Sequence, residues 1–170
     1  VDPRSVRYIE VDGYATKWAD SFEYQGIKNV FAKASDGKHC ALGSVKGNIG
    51  NVEAASGVTN LIKLALSLHR QQFPPTISKK KVSSFIDIDS AAHPLYIADR
   101  VIGFDEIRTE GLPIRAGINS FADSGTNVHI VLEEYTADSV VSCLTVDTRQ
   151  VFLLSAKDAR GLAAQVEQYI

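Results

Sequence analysis

The sequence predicts an α/β fold, because strand-like segments alternate along the chain with segments of helical periodicity. Residues 43–57 give the strongest indication: an apolar strand runs into a turn containing Gly47 and Gly50, and a long helical pattern follows. Glycine allows backbone conformations that other residues avoid, and Asn51 is a good helix N-cap. A strand, a tight turn and a helix in this order bring backbone and side chains close to a ligand.

The first half of the chain alternates strand and helix. A strand is predicted over residues 6–11, a turn over 12–16, a helix over 20–33, a second strand over 41–46 and a long helix over 52–72. Asp20 is the expected cap of the first helix, whose inward residues are Phe22, Ile27, Val30 and Phe31. Helical spacing predicts that the long helix buries Val52, Ala55, Val58, Ile62, Ala65, Leu66 and His69.

The second half is predicted to begin with a long ordered loop over residues 76–113. It contains a solvated basic run at 79–81 and a short extended piece at 85–88. Strands at 114–121 and 127–133 flank a hairpin turn. Three segments result: a main domain over 1–134, a linker over 135–150, and residues 151–170, where a strand and an amphipathic helix open a small α/β subdomain.

Composition narrows the class of protein. The chain has 170 residues, of which 45% are apolar and 22% charged, and a net charge of -2, so electrostatics favours neither nucleic acid nor an anionic membrane as partner. Its apolar runs are too short to span a bilayer. Cys40 and Cys143 fit neither a metal site nor a disulfide framework. A cytoplasmic protein that needs no metal is predicted.

Several motifs in order carry a family resemblance. Residues 43–57 are similar to Gly-Ser-Val-Lys-Ser-Asn-Ile-Gly-His-Leu-Glu-Ala-Ala-Ala-Gly, the second histidine motif of ketosynthases. Residues 9–16 resemble part of the first, Val-Glu-Ala-His-Gly-Thr-Gly-Thr, and 20–23 resemble the end of Gly-Asp-Pro-Ile-Glu. Residues 115–133 resemble the final hairpin, except that 122–124 depart from its Gly-Phe-Gly loop. The chain therefore resembles the C-terminal half of a ketosynthase of a modular type I polyketide synthase, followed by its linker.

The resemblance implies a layered α/β/α architecture, the C-terminal half of the thiolase fold. It implies a homodimer, an N-terminal half that holds the nucleophilic cysteine, and acyl substrates carried on the phosphopantetheine of an acyl carrier protein, with no bound cofactor. Neither Cys40 nor Cys143 lies in a motif like that of the nucleophile. Half of such a fold is expected to expose an apolar face where the missing half packs.

The site residues depart from the family pattern. Asp12 and Asn51 stand where the family has its two histidines, and Lys46 matches its lysine. The histidines donate hydrogen bonds to the thioester oxygen during malonyl decarboxylation. An ionised Asp12 has no proton to donate and repels the developing enolate, whereas the Asn51 amide can still donate. In this respect the chain resembles non-elongating ketosynthases.

Each position also has a structural interpretation. Asn51 is expected to act mainly as the helix N-cap, and Lys46 to pair with Glu53. Thr16 and Thr126 match positions that contact phosphopantetheine, but turn hydroxyls equally bind local backbone. His129 is interpreted as a core histidine.

Three functions stay open at this stage. The main hypothesis is a domain that transfers acyl chains without condensing them. The alternatives are a scaffold for dimerisation or docking and an active condensing enzyme with unusual donors.

Overall fold

The computed structural model describes residues 1–32, 37–77, 82–83, 85–88, 94–135 and 154–168. The chain divides into two compact units, residues 1–135 and 136–170. The predicted boundaries within the chain, at 134 and 150, stay predictions. The basic run at 79–81 and most of the linker lie outside the described residues.

The first unit is built on a five-stranded sheet in the order β4-β2-β1-β6-β7. Its strands are β1 (Val6–Glu10), β2 (Cys40–Gly43), β4 (Leu95–Ile97), β6 (Arg115–Phe121) and β7 (Asn127–Glu133). Strands β4, β2, β1 and β6 are parallel to one another, and the edge strand β7 runs antiparallel to β6. A separate antiparallel pair joins β3 (Gln72–Phe73) to β5 (Ile102–Gly103).

Two helices cover the two faces of this sheet. The helix α1 (Lys17–Phe31) packs Tyr24, Ile27 and Phe31 against one face, in a cluster with Ile9 and Leu42. The helix α3 (Ser56–His69) packs Leu64 against the other, in a cluster with Tyr8 and Ile118 among others. Because successive strand residues point to opposite faces, Tyr8 and Ile9 of β1 belong to different clusters. The result is the layered α/β/α arrangement that was predicted.

The elements of the strand–turn–helix segment at residues 43–57, called the elbow below, differ from prediction in their bounds. The second strand ends at Gly43, and Lys46 instead begins a single helical turn, α2 (Lys46–Ile49). A 3-10 turn (Glu53–Ala55) comes before α3, so the long helix begins four residues later than predicted.

The first helix also begins earlier than expected. Thr16 is its N-cap, since its hydroxyl accepts a hydrogen bond from the Ala19 amide, 3.4 Å away. The prediction of Asp20 as the cap was wrong, because this carboxylate lies in the first turn and accepts from the Ala15 amide instead. Phe22 and Val30, predicted to face inward, are exposed.

The buried face of α3 was also assigned wrongly. The buried residues of α3 are Ser56, Asn60, Leu64 and Ser67, with Leu61 and Leu68 partly buried against the same core, whereas Val58, Ile62 and Leu66 are at least half exposed. Small and polar residues lie on the inner face because helix and sheet approach closely there: a Cβ added at Gly57 would lie 3.2 Å from the Ser120 hydroxyl.

The segment predicted as one long loop contains regular structure. Besides β4 and β5, it holds the short helix α4 (Phe104–Ile107). The hairpin β6–β7 agrees with the sequence prediction. In the second unit, α5 (Ala159–Glu167) is capped by Asp158 and confirms the predicted amphipathic helix. The strand predicted at 151–155 lies mostly outside the described residues, and Leu154 and Ser155 are not in a strand.

Candidate functional site

The site lies where β1 and β2 end at the same edge of the sheet. Because these strands are parallel, the loops that follow them are neighbours. The first loop carries Asp12 and the second leads to Lys46. Gly13 has a φ of 56°, a conformation that favours glycine, and it lets the chain turn immediately after Asp12.

Asp12 and Lys46 form an ion pair at this edge of the sheet. The Lys46 ammonium donates to Oδ1 of Asp12 at 3.1 Å, and the two side chains, Lys46 and Asp12, are only 8% and 4% exposed. The predicted pairing of Lys46 with Glu53 was therefore wrong. The lysine turns to Asp12 because α2 places it beside the end of β1. Its positive charge is therefore matched by the Asp12 carboxylate.

Asn51 lies near Asp12 and Lys46 but does not cap α3. Its Oδ1 accepts from the Glu53 amide at 3.2 Å and from the Ser56 hydroxyl at 3.4 Å. The side chain thus stabilises the 3-10 turn rather than the first turn of the helix, which corrects the prediction. With Oδ1 engaged in this way, Nδ2 is the part of the amide able to donate to a ligand.

These three residues line one cleft of about 410 Å³. Its opposite wall is the tip of the β6–β7 hairpin, including Phe121 and Asp123. An apolar cavity of about 400 Å³ also borders Lys46 and Asn51, and its lining includes Leu42, Ile77, Ile88 and Ile97. The fold therefore brings together the predicted residues Asp12, Lys46 and Asn51.

The two threonines lie at the margins. Thr16 lines a smaller depression next to Asp12, where its hydroxyl caps α1. Thr126 is exposed at the hairpin turn, and its carbonyl oxygen accepts from the Ala122 amide at 2.9 Å. His129 is exposed rather than part of the core, and its Nδ1 lies 2.7 Å from Oδ1 of Asn119.

One supporting group was not singled out from the sequence. Glu10 is fully buried in β1, and its Oε2 lies 2.6 Å from the Lys63 ammonium and 3.0 Å from the Tyr8 hydroxyl. Its Oε1 accepts from the Val45 amide at 2.6 Å. Burial raises the pKa of Glu10, while Lys63 opposes that rise. An acidic residue between the apolar residues Ile9 and Val11 was the available signal for this group.

A second carboxylate lies on the other side of Asp12. Glu23 of α1 accepts from the Asp12 amide at 2.9 Å, the Gly13 amide at 3.0 Å and Nδ2 of Asn119 at 2.9 Å. Burial raises the pKa of Glu23, and these three donors work against the rise. Its place in the motif at residues 20–23 was the only sequence signal.

Two further features bear on chemistry. Cys40 is fully buried in β2, and burial strongly raises the pKa of its thiol, so it is unsuited to act as a nucleophile.

Within the described residues, no three His, Cys, Asp or Glu side chains are grouped as a metal site would require. In the same part of the chain, no helix has the length and apolar character needed to cross a membrane.

Comparison with known proteins agrees with this geometry. The model for the C-terminal domain of β-ketoacyl synthases matches residues 1–80. Polyketide synthase PksN of Bacillus subtilis is 36% identical over 184 residues, covering 99% of this chain and 3% of PksN. The ketosynthase from module 6 of the bacillaene synthase of Bacillus subtilis gives a TM-score of 0.73 at 34% identity, covering 98% of this chain and 27% of that one. The chain is similar to ketosynthases along almost its whole length, and its first 80 residues match the model of their C-terminal domain.

A further relative is also similar over nearly the whole of this chain, which again matches only a small part of the relative. Polyketide synthase ThaQ of Burkholderia thailandensis is 33% identical over 175 residues, covering 99% of this chain and 8% of ThaQ. This chain thus has the C-terminal half of the thiolase fold. It spans about a quarter of the solved ketosynthase and a far smaller share of the curated synthases.

Proposed function

We propose that this chain is part of a polyketide synthase ketosynthase domain that binds acyl chains on a carrier protein and transfers them without decarboxylative condensation. The observation that carries the proposal is the buried ion pair between Asp12 and Lys46. Because of this pair, the position that resembles the family's first histidine holds a hydrogen-bond acceptor, the Asp12 carboxylate. That carboxylate is already paired with the Lys46 ammonium.

The electrostatics of that position oppose decarboxylation. When the bond between the malonyl carboxylate and the α-carbon breaks, carbon dioxide leaves and the electron pair moves onto the thioester oxygen. Hydrogen-bond donors stabilise that oxygen, and loss of one typically costs roughly 10²- to 10³-fold in rate. Asp12 in its ion pair offers no proton, and the charge of Lys46 is engaged by Asp12.

Acyl transfer makes fewer demands on this half of the domain. It needs a cysteine nucleophile, which the N-terminal half would supply, since Cys40 is buried. The apolar cavity beside Lys46 and Asn51 supports binding of an acyl group. Thr16 and Thr126 would contact the phosphopantetheine arm of the carrier protein, with no cofactor bound by the chain itself. The domain would act as a homodimer in the cytoplasm.

The test compares two reactions in the complete ketosynthase domain that contains this chain. Acyl loading from a carrier protein is followed by intact mass, and malonyl decarboxylation by release of labelled carbon dioxide. We expect loading without decarboxylation. Replacing Asp12 and Asn51 together by histidine should increase decarboxylation by at least about 10²-fold.

The controls separate the remaining possibilities. Asp12→Asn removes the negative charge without adding an imidazole and should increase decarboxylation less than the double histidine variant does. Rapid decarboxylation by the unmodified domain would contradict the proposal and support an active enzyme with unusual donors. Absence of loading would favour the structural scaffold instead.

A further inference from the structure

We propose that Glu23 and Glu10 are positioning residues of the cleft: each carboxylate holds the backbone that presents one member of the Asp12–Lys46 pair. The inference rests on the proposed function in treating this cleft as the ligand site. The contacts that carry it are hydrogen bonds from backbone amides to side-chain oxygens on both sides of the pair.

Glu23 holds the Asp12 side. Its two oxygens accept from consecutive amides, those of Asp12 and Gly13, at 2.9 and 3.0 Å. Two amides bound to one carboxylate fix the orientation of the peptide between them. This constraint matters because Gly13, at a φ of 56°, is free to adopt many other conformations.

The final hairpin is tied to the same carboxylate. Asn119 of β6 donates through Nδ2 to Glu23 at 2.9 Å, so its Oδ1 remains to accept from Nδ1 of His129 in β7, 2.7 Å away. The hairpin tip forms the opposite wall of the cleft. Glu23 therefore joins the loop that carries Asp12 to the element that faces it.

Glu10 holds the Lys46 side. Val45 precedes the first residue of α2, and its amide donates to Oε1 of Glu10 at 2.6 Å. The other oxygen is held by the Lys63 ammonium of α3 and by the Tyr8 hydroxyl. Lys63 supplies the counter-charge that a buried carboxylate needs, and it anchors Glu10 to α3.

The test measures local order rather than turnover, using the complete ketosynthase domain. Glu23→Gln and Glu10→Gln each leave a single acceptor oxygen where two are used. Glu110→Gln, at an exposed position, is the matched control. Hydrogen–deuterium exchange is followed over residues 11–14 and 44–48, and the reactivity of Lys46 toward an acylating anhydride is followed by peptide mass spectrometry.

We expect Glu23→Gln to accelerate amide exchange at Asp12 and Gly13 by roughly tenfold, because one charged hydrogen bond is lost. Glu10→Gln should do the same at Val45. Both variants should increase acylation of Lys46, which is normally only 8% exposed. Exchange should stay at the control rate in β4 for both variants, in α3 for Glu23→Gln and in α1 for Glu10→Gln, because a general loss of stability would accelerate those segments as well.

The proposal is overturned if both variants match Glu110→Gln in exchange and in Lys46 acylation, or if those reference segments accelerate as much as residues 11–14 and 44–48. If either variant does not fold, Asn119→Ser and Tyr8→Phe remove one donor to each carboxylate and should produce smaller changes of the same kind. The readouts need no catalysis, so failure of the proposed acyl transfer leaves this test intact.

Discussion

At the scale of single residues, the main electrostatic feature of the cleft is the ion pair between the Asp12 carboxylate and the Lys46 ammonium. The two groups are 3.1 Å apart and nearly excluded from solvent. A buried pair of this kind adds little net stability, because desolvation offsets the attraction. Removal of one partner is costly, since the other charge stays buried without compensation. The pair therefore constrains which substitutions the site tolerates.

A double-mutant cycle measures this constraint. Asp12→Asn and Lys46→Met should each lower the free energy of unfolding by about 3–5 kcal/mol, because each leaves one buried charge unpaired. The double variant should lose less than the sum of the two single effects. Denaturant unfolding of all four proteins gives the coupling energy, and strictly additive losses would show that the pair does not interact.

The ion pair between Arg108 and Glu134 makes stability depend on pH. Arg108 donates to both oxygens of Glu134, at 2.7 and 2.8 Å, and lowers the pKa of Glu134 below its usual value of 4.5. A lowered carboxylate pKa contributes stability that is fully present above about pH 4.5 and is lost as the pH falls through the folded-state pKa.

The corresponding measurement is the free energy of unfolding between neutral pH and acid pH. We expect the unmodified chain to lose more stability in this window than Glu134→Gln, which has no carboxylate to protonate. Parallel curves for the two proteins would contradict the assignment.

The sequence made some of these residues predictable and others not. Asp12, Lys46 and Asn51 stood out because motifs at recognisable spacing surround them. The partner of Lys46 did not, because Asp12 and Lys46 are 34 residues apart and meet only through the register of β1 with β2. Asn51 was assigned as a helix cap because propensity does not reveal the 3-10 turn that precedes α3.

At the scale of elements, the elbow between β2 and α2 depends on close backbone approach. A Cβ added at Gly43 would lie 1.9 Å from the Tyr8 hydroxyl, and one at Gly47 would lie 2.6 Å from the Ile77 carbonyl oxygen. Gly43 is therefore needed to leave room for the hydroxyl that donates to Glu10. At this position the absence of a side chain is a packing requirement.

Two glycine substitutions should have opposite effects. Gly43→Ala should destabilise the chain by about 1–3 kcal/mol, because overpacking displaces Tyr8. Gly26→Ala lies within α1 with no atom within 4 Å of the added Cβ, so it should stabilise by about 0.4–1 kcal/mol. Thermal or denaturant unfolding of both variants is sufficient; a harmless Gly43→Ala would contradict the close approach.

The helix α3 shows why an element can be predicted while its orientation cannot. The apolar periodicity of Val58, Ile62 and Leu66 correctly indicated a helix, and it was natural to place that face against the sheet. In this chain that face is exposed, and Leu64 contacts the sheet instead, with Leu61 and Leu68 partly buried beside it and small or polar residues between them. Periodicity reports that a face is apolar, and it does not report which surface covers that face.

At the scale of the whole chain, apolar surface remains exposed on α1 and α3. Phe22 and Val30 border a groove of about 680 Å³ beside the sheet, and Ile62 and Leu66 border a second groove along α3. Patches of this kind commonly mark surfaces that pack against protein. For α3, we infer that the N-terminal half of the domain packs there.

A paired experiment tests the α3 surface. Ile62→Asp should cost about 3–5 kcal/mol in the complete domain, where the charge would be buried, and no more than about 0.5 kcal/mol in the chain by itself. Leu64→Ala serves as the reference, since it removes core packing in both contexts and should cost about 2–5 kcal/mol in each. Equal effects of Ile62→Asp in both contexts would exclude this surface as the interface.

Because Cys40 is buried in the sheet, the chemical reactivity of its thiol can report when the sheet opens. The thiol lies in β2 between β1 and β4, and burial raises its pKa, so little reactive thiolate is present in the folded state. With Cys143 replaced by serine, alkylation of Cys40 requires release of this inner strand. Its labelling rate in native buffer would then measure the free energy of opening the sheet without any denaturant.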